Sequence, residues 1–483
     1  MTKACRRPIG AASSAGRAIG LSLAALLLAA PGVVAAQGVS DPAVVARGKY
    51  LALAADCGAC HTADASKPMA GGVAVPTPFG LIYAPNITPE KASGIGAWSD
   101  DDVVRAMHQG IGKQGENLYP AFPYEAFTLL SRDDVLAIKA YLFSLKPIHN
   151  IVPANDLSFP FNQRWILWGW KLFNFRDARF HPETGRSAQW NRGAYLVEAL
   201  EHCGTCHTPR NITLGLERDR NLGGGAAGAW DAFNITPDKT GGIGAWSDSE
   251  VFQYLATGAT PGKAWAAGPM AEAVQNSLSQ IDPDDLHAII AYLRTQRPIA
   301  TDEMREPRFA FGKPATYEFG LRGTTGLTAD ARPVSGAELY SANCASCHGV
   351  AGTGSQDGYF PPLVHNSALG AERPNNLLLV ILDGVHRRTP HEDAFMAGFS
   401  DLSDDQVISL ANYLEQQFGN PDVHVSQAEL DVARRGLGRV PTGLEVAAGL
   451  VLALPASLLI GLVLVWRRRA RAWKATTWSR AEQ

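Results

Sequence analysis

Cysteine is scarce in this sequence, with seven residues in 483. Cys5 stands alone near the start, and the other six form three pairs whose members are three positions apart. If each pair serves one site, no thiol remains for the disulfides that an exported chain could otherwise use. A Gly-x-Gly-x-x-Gly fingerprint between a strand and a helix is also missing. These absences exclude a disulfide scaffold and give no sign of a nucleotide-binding fold.

The net charge is also small. The sequence has 43 Lys and Arg and 46 Asp and Glu, which gives a net charge of −3. Both ends carry a net positive charge, so residues 37–466 form an acidic body. An acidic body speaks against a nucleic-acid partner and suits docking to basic protein surfaces.

The two ends predict export and a membrane anchor. Residues 1–36 combine four basic residues, an apolar run and a Val34-Ala35-Ala36 end, which is typical of a cleaved signal peptide. Val446 to Trp466 contains 21 residues without charge, enough to span a bilayer as a helix. Basic residues follow in 467–483, which predicts a cytoplasmic tail and a periplasmic body at the bacterial inner membrane. A buried core helix is the alternative for 446–466.

Each cysteine pair is followed directly by histidine, which gives the pattern Cys-x-x-Cys-His of covalent haem c attachment. Two thiols can bond to the porphyrin edge while the next imidazole binds the iron. A redox dithiol or half a zinc site would explain a single pair, but not a histidine after all three. The sequence therefore predicts three covalently bound haems c. The attaching cysteines are Cys57, Cys60, Cys203, Cys206, Cys344 and Cys347, and the proximal iron ligands are His61, His207 and His348.

An internal repeat relates the first two of these units. Asn86-Ile87-Thr88-Pro89 recurs 148 positions later as 234–237, and Gly94 to Asp100 recurs as 242–248. The Asn-Ile-Thr triplets match a glycosylation pattern, but their place in the repeat favours a structural turn. Segments with apolar residues at helical spacing open and close each unit, as in 47–55, 134–142 and 285–293.

Two methionines are the predicted sixth iron ligands. Met270 and Met396 each lie just before the closing helix of a unit, although methionine can also be a core filler. The repeat aligns Met270 with Phe122, which cannot bind iron. The sixth ligand of the first haem is therefore open, with Met69 and Met107 as the candidates for a substitute thioether.

Two nearby residues receive no ligand role. His108 aligns with Ala256 on a helix and is predicted to lie at the surface, and Met304 lies in a linker.

The predicted fold class is all-α, with three tandem cytochrome c-type domains and a C-terminal transmembrane helix. Three tryptophans between 165 and 170 suggest a stripe packed between domains, or else a contact surface for a partner or the membrane. The predicted boundaries are 1–36 for the signal peptide, 37–150 for domain I, 151–190 for the Trp-rich linker, 191–299 for domain II, 300–333 for a second linker, 334–420 for domain III, 421–445 for a third linker, 446–466 for the transmembrane helix and 467–483 for the tail.

The three pentads, the repeat, the 161–165 stretch Phe-Asn-Gln-Arg-Trp and Gly-Pro-Met at 268–270 together resemble the triheme cytochrome c subunit of bacterial membrane-bound dehydrogenases. The resemblance implies an electron carrier that is not an enzyme on its own. It implies a catalytic partner subunit with a molybdenum, pyrroloquinoline quinone or flavin cofactor, and ubiquinone or a terminal oxidase as acceptor. The substrate would be an alcohol, aldehyde, sugar or heteroaromatic compound. The Tyr-Pro-Ala-Phe-Pro-Tyr stretch at 119–124 is similar to cytochromes that accompany molybdenum enzymes.

Two other functions stay open at this point. An open first haem could make the chain a haem catalyst or a ligand sensor. The anchor would also suit the haem c subunit of a terminal oxidase.

Overall fold

The computed structural model describes residues 41–301, 304–316 and 335–436. Each unit predicted from the sequence begins with a helix, continues into a short pentad helix and ends with a longer closing helix. The helices of domain I are α1 Pro42–Ala54, α2 Cys57–His61, α3 Asp100–Gln109, α4 Tyr124–Phe127 and α5 Arg132–Ser144. The linker contributes α6 Ile166–Asn174.

Domains II and III follow the same order. The helices of domain II are α7 Ala188–Tyr195, α8 Gly204–His207, α9 Asp248–Thr257, α10 Gly268–Ala273 and α11 Pro283–Leu293, with π-helical turns at Leu196–Leu200 and Val274–Leu278. Domain III contains α12 Gly336–Asn343, α13 Ala345–His348, α14 Asn375–Asp383 and α15 Asp404–Phe418, and α16 Gln427–Arg435 follows in the predicted third linker. Short 3₁₀ turns lie at Arg218–Arg220 and Arg308–Ala310.

Side-chain caps explain where the helices begin. Ser99 and Ser247 each accept a hydrogen bond from the third residue of α3 or α9, whose carboxylate bonds back to the cap. The Asp282 cap with Pro283 in the first turn, predicted from the sequence, is confirmed, and so is the Ser403 cap of α15.

The all-α prediction is wrong, because nine short strands form four small antiparallel sheets in the described residues. Extended segments without helical spacing follow each pentad and pair into hairpins. The strands are β1 Ala74–Thr77, β2 Gly80–Tyr83, β3 Asp156–Leu157, β4 Gly225–Ala227, β5 Trp230–Ala232, β6 Ala259–Thr260, β7 Ala264–Trp265, β8 Val385–Arg388 and β9 Asp393–Met396. The register pairs Val75 with Ile82, Ala226 with Asp231, and Arg387 with Ala394.

The predicted transmembrane helix receives no support from this structure. Among the residues it describes, no helix has the length and apolar character needed to cross a membrane. The predicted span 446–466, the signal peptide 1–36 and the tail 467–483 lie outside the described residues.

The Asn-Ile-Thr repeats form structural turns, as predicted. The Asn86 side chain is buried, accepts a hydrogen bond from the Thr88 backbone N–H and donates to the Ile148 carbonyl beyond α5. Asn234 makes the same pair of bonds with Thr236 and with the Ile299 carbonyl. Each turn therefore ties the middle of its domain to the chain that leaves it.

Domains I and II share one hydrophobic core. Buried residues of α1 and α5 belong to the same cluster as those of α7, α9 and α11, whereas domain III has a second cluster. The domain III cluster also takes in Ala229 and Trp230 of the β4–β5 hairpin. Burial of this hairpin joins domain III to domain II.

A reciprocal polar contact accompanies the shared core. Tyr50 of domain I donates its hydroxyl hydrogen to Oδ2 of Asp285 in domain II, at 2.6 Å. Tyr195 of domain II makes the equivalent bond to Oδ2 of Asp134 in domain I, at 2.5 Å. Each hydroxyl also accepts a hydrogen bond from a backbone N–H at the start of the partner domain's closing helix. The two domains therefore exchange identical contacts across their boundary.

Each of these carboxylates also pairs with an arginine. Nη2 of Arg47 lies 2.7 Å from Oδ1 of Asp134 within domain I. Nη2 of Arg192 lies 2.6 Å from Oδ2 of Asp285 within domain II. Each carboxylate thus accepts a hydrogen bond from the tyrosine of the other domain and pairs with an arginine of its own domain.

The linker helix α6 has one face packed between domains, as one of the two suggestions predicts, and a second face that is exposed. Its inner face carries the buried Leu167 and the half-buried Trp170, whose indole N–H donates to the Thr213 carbonyl of domain II. Its outer face leaves Trp165, Trp168, Leu172 and Phe173 between 65% and 80% exposed. One face packs between domains, and the other is open.

We expect loss of either tyrosine hydroxyl to weaken the pairing of domains I and II. Tyr50→Phe or Tyr195→Phe removes a hydrogen bond to a charged carboxylate, which costs about 1.5 kcal/mol. For about 250 residues that unfold together, this lowers the thermal midpoint by about 3–6 °C. Differential scanning calorimetry measures the shift, with Tyr359→Phe on the exposed surface of domain III as control. Equal midpoints for all three variants would contradict the expectation.

Candidate haem sites

The pentads lie on short helices that follow the opening helix of each domain. In domains I and II a left-handed residue separates the two helices, Asp56 with φ 46° and His202 with φ 43°. In domain II a π-turn precedes this residue, so Tyr195 lies eight positions before Cys203 while Tyr50 lies seven before Cys57. The wider π-turn accommodates the inserted residue, so the domain II pentad follows its opening helix as the domain I pentad does.

The two cysteines of each pentad can act together. Residues three positions apart share one face of a helix, so both thiols point to the same side. All six pentad cysteines have free thiols in this structure. This arrangement suits two thioether bonds to one porphyrin edge, and each pentad supplies the donor set that haem c requires.

Each proximal histidine is oriented by one hydrogen bond from its Nδ1. The acceptors are the carbonyl oxygens of Pro85, Phe233 and Pro361, at 2.7, 2.6 and 2.8 Å from His61, His207 and His348. A carbonyl oxygen only accepts, so Nδ1 carries the proton and Nε2 of the neutral ring keeps its lone pair. Burial lowers the pKa of all three imidazoles, which favours this neutral form. The histidines are therefore prepared to bind iron through Nε2.

The sites of domains I and II are neighbours. Burial, followed by the Asp56 and Glu272 carboxylates and the Cys206 thiol, raises the pKa of the Cys60 thiol to about 11. Cys206 and Glu272 belong to domain II, so groups of both sites act on one thiol. The Ser277 hydroxyl also donates to the Ala54 carbonyl at 3.0 Å, across the same boundary. The shared core thus brings two cofactor sites close together.

An open groove of about 1130 Å³ borders the domain II site, and its wall includes Cys206 and Phe233. All three domains and the linker contribute to its wall, including Phe79, Ala121 and Arg373. It touches the domain II pentad at Thr205 and Cys206 only. The groove is an interdomain feature and not the space between His207 and Met270.

The structure keeps the repeat register as far as Leu118 and Ala266, four residues before Phe122 and Met270. The helices α3 and α9 end in left-handed glycines 148 positions apart, Gly110 and Gly258. The carbonyl of each accepts a hydrogen bond from an N–H eight residues further on, that of Leu118 at 2.8 Å and that of Ala266 at 2.7 Å. Phe122 and Met270 each follow four residues later.

These two residues and Met396 occupy similar half-buried positions. Met270 lies on α10 against the shared core, and Met396 ends strand β9. Phe122 packs edge-to-face on Phe127, with ring centroids 5.5 Å apart. An aromatic ring therefore stands, in domain I, at the position that the repeat aligns with Met270.

The two substitute candidates have aliphatic counterparts in domain II. Met69 and Leu222 share a positive φ near 62°, and the N–H of each donates to the threonine hydroxyl after its pentad histidine. Met107 on α3 aligns with Leu255 on α9, and both belong to the shared core. Because leucine serves at both places, packing explains these methionines better than iron ligation.

Two residues without a predicted ligand role are buried, and for His108 the surface prediction was wrong. The His108 side chain is 2% exposed, and its Nε2 has no hydrogen-bond partner among the described residues. Burial lowers its pKa to about 4, so it is neutral. The linker residues Asp177 and Arg179 lie beside it, and alignment with Ala256 could not reveal that cover. Met304 is also buried, at 8% exposure.

Comparisons with known proteins give the family. The sequence profile described as cytochrome c matches residues 45–146 and 334–418. The chain is 40% identical to the fructose dehydrogenase cytochrome subunit of Gluconobacter japonicus, over 87% of this chain and 89% of that protein. It is 32% identical to the gluconate 2-dehydrogenase cytochrome c subunit of Pantoea cypripedii, over 79% and 87%. It is 37% identical to a nicotinate dehydrogenase subunit of Pseudomonas putida, over 80% of this chain but 31% of that longer protein.

These relatives are subunits of dehydrogenase complexes, and the cytochrome domain implies covalently bound haem c. The prepared histidines and the paired thiols of the pentads agree with that cofactor. The chain therefore belongs to the family of cytochrome c subunits of dehydrogenases, which transfer electrons and are not the catalytic subunits.

Proposed function

We propose that this chain binds three haems c and carries electrons from a dehydrogenase catalytic subunit to ubiquinone or a terminal oxidase. The observation that carries the proposal is the threefold recurrence of one arrangement, a pair of thiols next to an imidazole whose Nδ1 is held by a carbonyl oxygen. Haem c, when bound, supplies reversible one-electron chemistry at its iron. The pentads hold the cofactor, and the carbonyl oxygens fix the direction of each imidazole.

The sixth ligands are proposed for two of the three sites. Met270 and Met396 each lie on a segment that precedes a closing helix, α11 or α15, and both are half-buried. Thioether ligation stabilises ferrous iron and raises the reduction potential. Phe122 provides no such ligand, so the site of His61 is expected to have the lowest potential.

The proposed partner is a catalytic subunit with a molybdenum, pyrroloquinoline quinone or flavin cofactor. The 119–124 stretch and the identity to a nicotinate dehydrogenase subunit favour the molybdenum type and a heteroaromatic or aldehyde substrate. The 40% identity to a fructose dehydrogenase subunit makes a sugar-oxidising partner the second candidate. Purification through a tag on this chain, followed by metal and flavin analysis of the co-purified subunit, separates the two.

The proposed location of the haem domains is the periplasmic side of the bacterial inner membrane. The basic and apolar pattern of residues 1–36, typical of a signal peptide, supports export. Fusion of an export-dependent reporter enzyme after residue 436 tests this, since activity requires passage across the membrane. A reporter that is active only in the cytoplasm would contradict it.

Three haems should be attached per chain. Denaturing electrophoresis with haem staining and intact-mass measurement should give the mass of three haems, and Cys203→Ala with Cys206→Ala should remove one. Cys5→Ala is the matched control, because Cys5 is the cysteine outside the pentads. A wild-type mass with two haems would refute the count.

A methionine at position 122 should restore the missing ligand. Because the register of domains I and II is the same up to Leu118 and Ala266, Phe122→Met places a thioether where domain II has Met270. We expect one reduction potential to rise, and any high-spin signal in paramagnetic resonance to become low-spin. Phe173→Met, on the exposed face of α6, should leave the spectra unchanged.

The wild type provides the decisive comparison. Carbon monoxide should bind the reduced wild type at one haem and should bind Phe122→Met less. Three methionine-ligated signals in the wild type would show that another residue already supplies the thioether.

A further inference from the structure

Arg387 is a fully buried cation of domain III whose side chain contacts domain II. It lies on β8 of domain III, has no exposed surface, and donates from Nη1 to the Ala266 carbonyl of domain II at 2.9 Å. The nearest carboxylate oxygen, of Glu392, is 3.4 Å from Nη2. Nε and Nη2 have no hydrogen-bond partner among the described residues. Arg387 thus has one hydrogen bond and one ion pair among the described residues, and the hydrogen bond crosses from domain III to domain II.

The guanidinium occupies a space left open by a glycine. Gly258 ends α9 with φ 80°, and a Cβ atom there would lie 2.5 Å from Nε of Arg387. The carbonyl groups at this helix end carry partial negative charge, which favours a cation. Gly258 therefore allows the backbone turn and also leaves room for a side chain from domain III.

Domain I fills the equivalent space differently. The ring of Tyr124 lies against Gly110, and the Lys171 ammonium of the linker donates to the carbonyl oxygens of Gln109 and Gly110 at 2.8 and 2.9 Å. Position 272, which aligns with Tyr124, is glutamate. In each domain a cation from a later part of the chain thus lies at the C-terminal end of the corresponding helix, α3 or α9. That end precedes the segment of Phe122 or Met270.

Domain III contacts the Met270 segment on both sides. Ala266, bonded to Arg387, lies four residues before Met270, and Gln275, whose side-chain oxygen accepts from the Arg388 N–H at 2.7 Å, lies five residues after it. Arg387 also pairs with Ala394 in the hairpin that ends at Met396. The strand pair that carries one proposed ligand is therefore bonded to the segment that carries the other.

We propose that Arg387 is a positioning residue that holds the Met270 segment of domain II and the Met396 hairpin of domain III in one fixed arrangement. The geometry of both thioethers, and with it the reduction potentials of the second and third haems, depends on this contact. The inference rests on the proposed roles of Met270 and Met396 as sixth ligands. It also places the methionine-bearing sides of these two sites next to each other.

The experiment compares variants of the full, haem-loaded chain by redox titration and by the long-wavelength charge-transfer absorption of methionine-bound ferric haem. Arg387→Met removes the donor at similar length, and we expect it to lose about half or more of this absorption and to lower at least one potential, because one of two thioethers loses its support. Arg387→Lys keeps one charged donor and should retain an intermediate part of the absorption. Arg388→Met is the matched control, since its side chain is exposed and paired with Asp393 in the same hairpin.

Two reference variants separate this inference from the proposed function. Met270→Ala and Met396→Ala should each remove part of the absorption, and if neither does, the ligand assignment fails and not the role of Arg387. If both do while Arg387→Met keeps the wild-type absorption and potentials, the inference is overturned. Should Arg387→Met not accumulate with haem, Arg387→Gln replaces it, because the amide can still donate to Ala266 without the charge. Wild-type spectra for Arg387→Gln would then overturn the inference.

Discussion

One hydrogen bond recurs in every site and explains much of the architecture around it. The Nδ1 atoms of His61, His207 and His348 each need a carbonyl acceptor, and in each domain that acceptor comes from the chain that returns after the pentad. In domains I and II the hairpins β1–β2 and β4–β5 bring the returning chain into place. A histidine that could rotate would hold iron poorly, so the small sheets are part of the ligand support. This is why a helical protein contains strands at these points.

Domains I and II are paired because they share one hydrophobic core. A small haem domain has little apolar surface of its own, and the two share one cluster in which helices of both take part. The Tyr50 and Tyr195 hydrogen bonds then fix the orientation of the two domains. Each hydroxyl donates to a carboxylate of the other domain, and an arginine of that other domain already pairs with the same carboxylate. The result is a fixed separation of the two pentad sites. Domain III keeps its own core and contacts domain II through polar groups and one hairpin.

The sequence was sufficient for the features that depend on local pattern. The pentads, the repeat, the helix caps at Asp282 and Ser403 and the Asn-Ile-Thr turns follow from residue type and spacing, and the family comparisons confirm the kind of protein. The strands were missed because segments of two to four residues give no periodicity to read. His108 was misplaced because its cover comes from the linker, which has no equivalent in domain II. Arg387 carries no sequence signal, since its partner Ala266 offers only a backbone carbonyl.

The differences between the repeats lie where other parts of the chain touch them. Domains I and II agree in backbone register from the turn at Asn86 and Asn234 as far as Leu118 and Ala266, and they diverge in the next few residues. At that point domain I meets the linker through Lys171 and Tyr124, while domain II meets domain III through Arg387. These residues include Phe122 and Met270, so the surroundings differ at the segment that carries the proposed sixth ligand of domain II. A duplicated domain can keep its pentad and its proximal hydrogen bond while neighbouring parts of the chain change the segment that follows its third helix. The neighbours of each domain, and not the repeated core, are then what distinguishes domain I from domain II at this segment.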